Sequence, residues 1–306
     1  MSDQQEWLYY RVYVASIAEI RDLVEQVVGP AVRRFTAEDP ALRWFFLQYV
    51  DLIGLQLRLR LRGTPDRLAR YERELDQDFR RALDVLAAAD GPRGPLAAHR
   101  MVTKRLYEPE HGKFGGPAGV ALAERLMQCG SEAALVCSSP RLRPLRTSLA
   151  AAHTELMVAR LPAATRTSFL HQYAWYWSGR GRLDAPFGRT LPGLSPGDPV
   201  AIRRTAVLRT QIDQVLQVPA LREALTGYAD EFWLRVRRAG LPRPDYLTAF
   251  HHIHLMNNRL GVVPGEEMQI ARLLWLEGLR KPRAAATVDP AAARDREPLP
   301  LPGPAA

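Results

Sequence analysis

The stretch RWFFLQYVDLIGLQLRLRLRG, residues 43–63, contains two runs with the composition of β-strands. Arg43 to Val50 is dense in aromatic and β-branched residues, and Leu55 to Leu61 alternates strictly between leucine and a polar residue. We expect the two runs to pair as a hairpin. Because successive side chains of a strand point to opposite faces, Arg58 and Arg60 share one face of this hairpin.

The rest of the chain divides into a strand-rich beginning and a helical remainder. Trp7 to Val14 has strand composition, and Ser16 with Glu19 fits a capping box that opens a helix whose apolar residues recur to Val28. The further predicted elements are a helix from 64 to 89, a strand at 101–107, a loop at 108–117, and helices at 117–137, 145–178 with a break near Pro162, 200–217, 220–239, 244–260 and 265–281. The pattern predicts an α+β fold in which a strand-rich N-terminal third packs with a helical remainder.

The composition is that of a globular protein, since 47% of the 306 residues are hydrophobic and 25% are charged. We expect one domain over residues 1–281, a long Gly- and Pro-rich loop at 179–199 and a disordered Pro- and Ala-rich tail at 282–306. No window approaches 18 consecutive apolar residues and no secretory signal pattern is present, which predicts a soluble cytoplasmic protein without a membrane partner. Two cysteines, Cys129 and Cys137, exclude a disulfide framework.

The charge balance predicts an anionic partner. The 42 basic residues exceed the 33 acidic residues by nine, which suits an acidic peptide, a nucleic acid or a phosphate. Nearly all of the cations are arginine, because Lys104, Lys113 and Lys281 are the only lysines. A lysine is therefore unusual in this chain and, unlike arginine, it can lose its proton when it is buried.

Two clusters of charged residues are candidates for a functional site. Arg58 and Arg60, joined by Arg62, offer guanidinium groups suited to carboxylates; the alternative is a solvated sheet face paired with surface acids. The loop EPEHGKFGGP, residues 108–117, brings Glu108 and Lys113 together ahead of paired glycines. Loops often carry function, although a charged loop also serves solubility alone.

The densest polar cluster is HHIHLMNNRLG, residues 251–261, in a predicted helix. His251, His254 and Asn258 fall on one helix face, where a histidine can act as an acid or a base near neutral pH. The HExxH spacing of zinc sites is missing and the thiols are more than a hundred residues away in sequence, so we expect no metal. The alternative is a structural helix whose polar side chains bond to neighbouring loops.

Four aromatic rings crowd the segment HQYAWYWSG, namely Tyr173, Trp175, Tyr176 and Trp177. One helix face cannot bury all four, so we expect some to line a cleft or a contact surface and at least two to belong to a core. The sequence contains no GxGxxG after a strand, no P-loop and no GxSxG. Nucleotide binding and a serine nucleophile therefore have no support, and no cofactor is expected.

Four motifs in order resemble those of one family. They are WLYYRVYV, WFFLQYVD followed by LRLRLRG, YEPEHGKFGGP, and HLMNNRLG followed by Glu266 and Glu267. Their order and spacing, over roughly residues 7–280, are similar to those of the thiopeptide-type bacteriocin biosynthesis domain, which is related to the C-terminal elimination domain of class I lantibiotic dehydratases. The resemblance implies the fold of that domain.

The resemblance implies one of two reactions. Some members eliminate glutamate from glutamylated Ser or Thr to leave dehydroamino acids, and their glutamate-binding arginines match Arg58 and Arg60. Others are pyridine synthases, which join two dehydroalanines in a formal four-plus-two aza-cycloaddition. Two departures from the eliminating pattern favour the synthase: Gln56 stands where a histidine is usual, and Lys113 stands where the loop motif has arginine.

For a pyridine synthase the resemblance implies that His254 shuttles a proton and that Arg58 or Lys113 stabilises developing negative charge. The implied partner is a precursor peptide with azoles, dehydroalanines and an acidic leader, besides other enzymes of the pathway. Nucleic acid is not expected, because the family's tRNA-using step belongs to a separate domain. A non-catalytic leader-binding protein is a further alternative. The remaining candidates, all for substrate binding, are Gln56, Arg60, Glu108, Tyr173, Trp175, Asn257, Asn258 and Arg259.

Overall fold

The computed structural model describes residues 5–89, 100–180, 195–242 and 244–280. The strands are β1 (Glu6–Val14), β2 (Arg43–Val50), β3 (Leu55–Gly63) and β4 (Met101–Lys104). The α-helices are α1 (Ile17–Leu23), α2 (Gly29–Glu38), α3 (Pro65–Ala89), α4 (His111–Phe114), α5 (Pro117–Val136), α6 (Arg146–Val158), α7 (Ala163–Trp175), α8 (Pro199–Gln217), α9 (Pro219–Ala239), α10 (Asp245–Arg259) and α11 (Pro264–Arg280). The predicted tail at 282–306 and most of the predicted loop at 179–199 lie outside the described residues.

The strands form one antiparallel sheet in the order β2-β3-β1-β4. The predicted hairpin is confirmed, with Leu55 opposite Val50 next to its turn. On one face of β3, Leu57 and Leu59 are completely buried in a core shared with α1, α2 and α3. The opposite face carries the arginines of β3 and lies toward the helical remainder.

The first predicted helix is longer than the sequence pattern indicated. Its start is confirmed, because the Ser16 Oγ accepts the backbone N–H of Glu19 at 3.2 Å. The helical chain then continues past Val28 to Glu38 through a π-helical turn at Val24–Val28. Pro30 follows this turn and cannot donate a backbone hydrogen bond, and a widened turn is a common way to accommodate a proline ring within a helical run.

The helical remainder confirms the α+β class. Most of its buried apolar side chains join those of the sheet in one hydrophobic core, beside which a smaller cluster surrounds Phe45 and Phe114. The predicted break near Pro162 lies between α6 and α7. Two local predictions need correction: the strand predicted at 101–107 ends at Lys104, and the loop predicted at 108–117 contains the one-turn helix α4. Helix α10 packs on α5, α6, α9 and strand β2, which brings its polar residues to the sheet.

Two side chains of α10 dock this helix onto the outer edge of β2. The Asn258 amide accepts the backbone N–H of Gln48 at 2.8 Å and donates to the backbone oxygen of Gln48 at 2.9 Å. Buried Arg259 donates from Nε to the backbone oxygen of Phe46 at 2.9 Å. Since an edge strand presents unpaired backbone groups, these bonds satisfy the edge and fix α10 against the sheet.

Candidate functional site

A cavity of about 900 Å³ lies against the arginine-bearing face of the sheet. The segment after β4, helix α10 and the turn into α11 complete its wall. Ligand pockets commonly have volumes of about 300–1,000 Å³, so this one has room for a large substrate. It brings together the predicted site residues Arg58, Arg60, Glu108, Lys113, His254 and Asn258.

Arg60 is held between aromatic rings at the floor of this cavity. Its guanidinium carbon lies 4.4 Å from the ring centre of Tyr9, 5.1 Å from that of Phe45 and 4.9 Å from that of Tyr107. Its Nε is buried without a hydrogen-bond partner, and within the described ranges no carboxylate forms an ion pair with this side chain. Burial lowers the pKa of Arg60, and the charge of Arg58 acts in the same direction. Because arginine stays charged in proteins, this cation is preorganised to receive an anionic or electron-rich group.

Arg58 is positioned by a second set of contacts. Its guanidinium carbon lies 3.4 Å from the ring centre of Tyr49, and its Nε donates to Oε1 of Gln56 at 3.2 Å. Gln56 is completely buried and donates in turn to Asp51 at 2.5 Å. Gln56 therefore orients Arg58 from behind and does not line the cavity.

The segment between β4 and α5 adds acidic groups and one lysine. Lys113 donates to Glu110 at 3.1 Å, and both residues line the cavity with Glu108. In α5, burial raises the pKa of Glu124, although its hydrogen bond with Tyr107 and nearby cations act in the opposite direction. The sequence motifs did not single out Glu124, since it lies in the regular helix α5.

His254 and Glu267 form a hydrogen-bonded pair at the cavity wall. Nδ1 of His254 lies 2.8 Å from Oε1 of Glu267, whose side chain is completely buried. The His254 side chain is 28% exposed and lines the cavity, so the histidine is the member of the pair that a substrate can reach. The indole of Trp177 stacks on the imidazole, with ring centres 4.2 Å apart.

Two further donors hold the Glu267 carboxylate. The Tyr173 hydroxyl and the Asn257 amide both donate to Oε2, the latter at 3.2 Å. Burial and the charge of Glu267 raise the pKa of Tyr173 well above its ordinary value, which keeps this hydroxyl protonated and able to donate. A carboxylate can only accept hydrogen bonds, so the proton of neutral His254 lies on Nδ1 and Nε2 is the ring nitrogen that can accept a proton.

Five predicted site residues lie outside the cavity, namely Gln56, Tyr173, Trp175, Asn257 and Arg259. Tyr173 and Asn257 hold Glu267, and Arg259 is buried against β2. Sequence reasoning did not assign Glu267 a site role, although it ends the fourth motif quoted above. It named Trp175 and not Trp177 as a substrate-binding candidate, whereas Trp177 is the indole that stacks on His254 and Trp175 does not line the cavity.

Sequence comparison identifies the family. Residues 7–276 match the family described as "Lantibiotic biosynthesis dehydratase C-term". The chain belongs to this family. Among curated proteins, none matches the chain in sequence.

Solved structures with this fold include both kinds of enzyme that the motifs resemble. The tRNA-dependent lantibiotic dehydratase MibB from Microbispora sp. 107891 has a TM-score of 0.57 at 20% identity; the match covers 91% of this chain and 28% of MibB. The pyridine synthase TbtD from thiomuracin biosynthesis has a TM-score of 0.57 at 18% identity, covering 89% of this chain and 97% of TbtD. TsrL has a TM-score of 0.54 at 18% identity, covering 90% and 99%. The chain thus spans only a little over a quarter of the dehydratase.

Neither a membrane span nor a metal cluster is found in the part of the chain that the structure describes. None of its helices is long and apolar enough to cross a bilayer. No three His, Cys, Asp or Glu side chains of the described residues are grouped to hold a metal ion.

Proposed function

We propose that this chain is a thiopeptide pyridine synthase, which joins two dehydroalanines of a modified precursor peptide in a formal four-plus-two aza-cycloaddition. One observation carries the proposal: His254 faces a cavity of about 900 Å³ and is held from behind by the buried Glu267 carboxylate. The ring closure needs an acid–base group and a cavity that keeps two alkenes in contact. Aromatic rings and guanidinium groups on the sheet supply flat surfaces for azoles.

The first step converts an amide of the peptide to its iminol tautomer. Nε2 of His254 takes the amide proton while the Glu267 carboxylate stabilises the resulting imidazolium, and the proton is then returned to the amide oxygen. No proton is gained or lost overall. The azadiene formed in this way, C=C–N=C(OH), adds to the second alkene through its two terminal carbons and makes two C–C bonds. One joins the methylene carbons of the two dehydroalanines, and the other joins the iminol carbon to the α-carbon of the second dehydroalanine.

Cationic groups stabilise the intermediate between these proton transfers. Arg58 and Lys113 line the cavity with His254, and their charges favour a negative amide oxygen. Arg60, Glu108 and Asn258 bind the surrounding peptide. Loss of water and of the leader peptide as its amide then leaves an aromatic pyridine within a macrocycle.

The substrate in this proposal is a precursor peptide that carries azoles, two dehydroalanines and an acidic leader. The net charge of +9 favours association with such a leader. Gln56 and Lys113 support the synthase over the eliminase. Gln56 is committed to Arg58 and Asp51, so an amide that positions Arg58 stands where a histidine is usual in eliminating members.

Glutamate elimination is the second candidate, and one observation favours it. Arg60 is buried among aromatic rings and no carboxylate of the described residues pairs with it, so a departing glutamate would complete the site. His254 would then remove the α-proton of the glutamylated residue. Arg58 and Arg60 would hold the leaving carboxylates.

Mass spectrometry of two parallel reactions tests the proposal. In the first, the protein is incubated with an azole-containing, bis-dehydroalanine precursor peptide; a synthase releases the leader amide and a macrocycle lighter by that leader and one water. In the second, a glutamylated precursor is supplied, and loss of glutamate there with no change in the first reaction would establish the eliminase. If both substrates remain unchanged while the peptide binds, the chain is a non-catalytic peptide-binding protein. The His254→Ala variant serves as the inactive control.

A further inference from the structure

The turn between β2 and β3 exposes a group of apolar side chains at one end of the cavity. Val50 is 67% exposed, Leu52 is fully exposed and Ile53 is 59% exposed. Val50 also lines the cavity, so the apolar turn is continuous with the proposed site. Exposed apolar patches commonly mark binding surfaces, so this turn is a candidate binding surface.

This turn is held rigidly by the Asp51 carboxylate. It accepts the backbone N–H groups of Ile53 at 2.9 Å and Gly54 at 3.2 Å. It also accepts the Gln56 amide at 2.5 Å and the Tyr13 hydroxyl at 3.0 Å. These four bonds keep the turn from folding its apolar side chains back onto the protein.

The outer edge of β2 leaves one backbone position unpaired beside this turn. In an antiparallel pair, alternate residues direct their N–H and C=O groups to the partner and away from it. Phe46 and Gln48 direct theirs away from β3. The Phe46 N–H donates to the Ser131 hydroxyl and its carbonyl oxygen accepts from Arg259, while Asn258 binds both groups of Gln48. Val50 is the next outward position, and within the described ranges its N–H and C=O have no partner on that side.

We propose that an extended segment of the peptide substrate binds here by strand addition, pairing with the backbone of Val50 next to Asn258. Apolar side chains of the bound peptide then pack on Leu52 and Ile53, and the reacting residues of the peptide enter the cavity. The inference rests on the proposed function for the identity of the peptide. An extended backbone offers the alternating donor and acceptor that the free position of Val50 requires.

The geometry favours a peptide over a second copy of the chain. No row of free outward positions exists among the described residues, because Phe46 and Gln48, the outward positions between Trp44 and Val50, are bound by α5 and α10, and the strand ends after Val50. Edge-to-edge dimers need a longer row of unpaired groups. A peptide needs only one pair to set its register, since the basic cavity beside Val50 holds the rest of an acidic substrate.

Fluorescence anisotropy with the labelled azole-containing, bis-dehydroalanine precursor peptide tests this site in two variants. Val50→Pro deletes the outward N–H, which proline tolerates at a strand edge, and Val50→Ala trims the side chain but keeps the N–H. We expect Val50→Pro to raise Kd about three- to tenfold above that of Val50→Ala, the effect of one lost hydrogen bond. Leu52→Ser with Ile53→Ser, which changes only exposed side chains, raises Kd as well.

Equal Kd values for Val50→Pro and Val50→Ala, with the double serine variant binding as tightly as the unaltered protein, would overturn the strand-addition site. If light scattering shows that the unaltered protein is a dimer and the Val50→Pro variant is a monomer, the edge of β2 binds a second copy of the chain instead. Turnover is measured separately by mass spectrometry. If the peptide binds through Val50 but is not cyclised, the strand-addition site is supported and the proposed reaction is wrong. If the peptide is cyclised and its binding does not depend on Val50, the proposed reaction is supported and the strand-addition site is wrong.

Discussion

The 2.8 Å contact between Nδ1 of His254 and Oε1 of Glu267 joins helix α10 to helix α11 across the turn that separates them. The two members of this pair differ in exposure, because the Glu267 carboxylate is completely buried while the His254 side chain is 28% exposed. Tyr173 and Asn257 hold the carboxylate from the protein interior. The arrangement resembles other acid–base sites in which a buried carboxylate fixes the tautomer of a histidine that faces substrate.

Replacing Glu267 with glutamine tests this relationship. The variant keeps the shape of the side chain but removes the charge that stabilises the His254 imidazolium, so we expect kcat to fall about 10²- to 10⁴-fold, the range of acid–base contributions, with little change in KM. Nitrogen NMR of His254 should report a changed balance between its two tautomers. Glu266→Gln is the matched control, since Glu266 pairs with Arg146 and should leave both readouts unaltered. A Glu267→Gln variant with full kcat would show that His254 acts without this carboxylate.

Replacing Arg60 separates its role toward substrate from its role in the fold. Arg60→Met retains a long side chain among the rings of Tyr9 and Phe45 but removes the charge. We expect kcat/KM for peptide processing to fall about tenfold or more, as for the loss of a charged contact with substrate, and the thermal midpoint to stay level or rise. Steady-state kinetics and a melting curve measure both effects. Unchanged kcat/KM with a lower midpoint would make Arg60 a structural residue alone.

Much of the fold follows from local sequence patterns. The alternation in β3 predicted both the pairing with β2 and the face on which Arg58 and Arg60 lie, because strand geometry leaves little freedom. Ser16 marked the start of the first helix, and Pro162 marked a break. The end of that first helix was missed, since the sequence pattern did not reveal that a π-helical turn carries the helix past Pro30.

The site was less predictable, because its contacts join residues that are distant in sequence. His254 and the arginines of β3 were found from residue type and motif. The roles of Asn257, Tyr173 and Arg259 were not, because a polar side chain on an amphipathic helix can face a cavity or a buried partner equally well. Which of the two occurs depends on how α10 sits against β2 and α11.

Substitution of Asn258 tests how α10 is held at the edge of β2. Asn258→Ala removes two hydrogen bonds to the backbone of Gln48, and we expect it to lower the free energy of unfolding by about 1–3 kcal/mol. Asn258→Asp should be worse, because a carboxylate can accept the Gln48 N–H but repels the Gln48 carbonyl oxygen. Denaturant titration measures both losses. An aspartate variant as stable as the parent would show that the reciprocal pair contributes nothing to the fold.

Buried His153 makes stability depend on pH. Burial, with the nearby charge of Arg259, lowers its pKa from 6.5 to about 3, and both ring nitrogens lack partners among the described residues. Below pH 6.5, His153 therefore binds a proton in the unfolded chain, whereas in the folded chain it stays neutral down to about pH 3. The free energy of unfolding accordingly falls with falling pH across this window, by up to about 1.4 kcal/mol per pH unit from this residue.

Replacing His153 with phenylalanine removes that dependence and keeps a ring against Tyr228, whose ring centre lies 5.5 Å away. We expect the variant to match or exceed the parent in stability at pH 7, since it buries no unpaired nitrogen. Between pH 6 and pH 4 the slope of unfolding free energy against pH should be smaller by about 1.4 kcal/mol per unit. His111→Gln, at an exposed position, should leave the slope as it is. A His153→Phe variant with the parent slope would show that His153 titrates in the folded protein as it does in water.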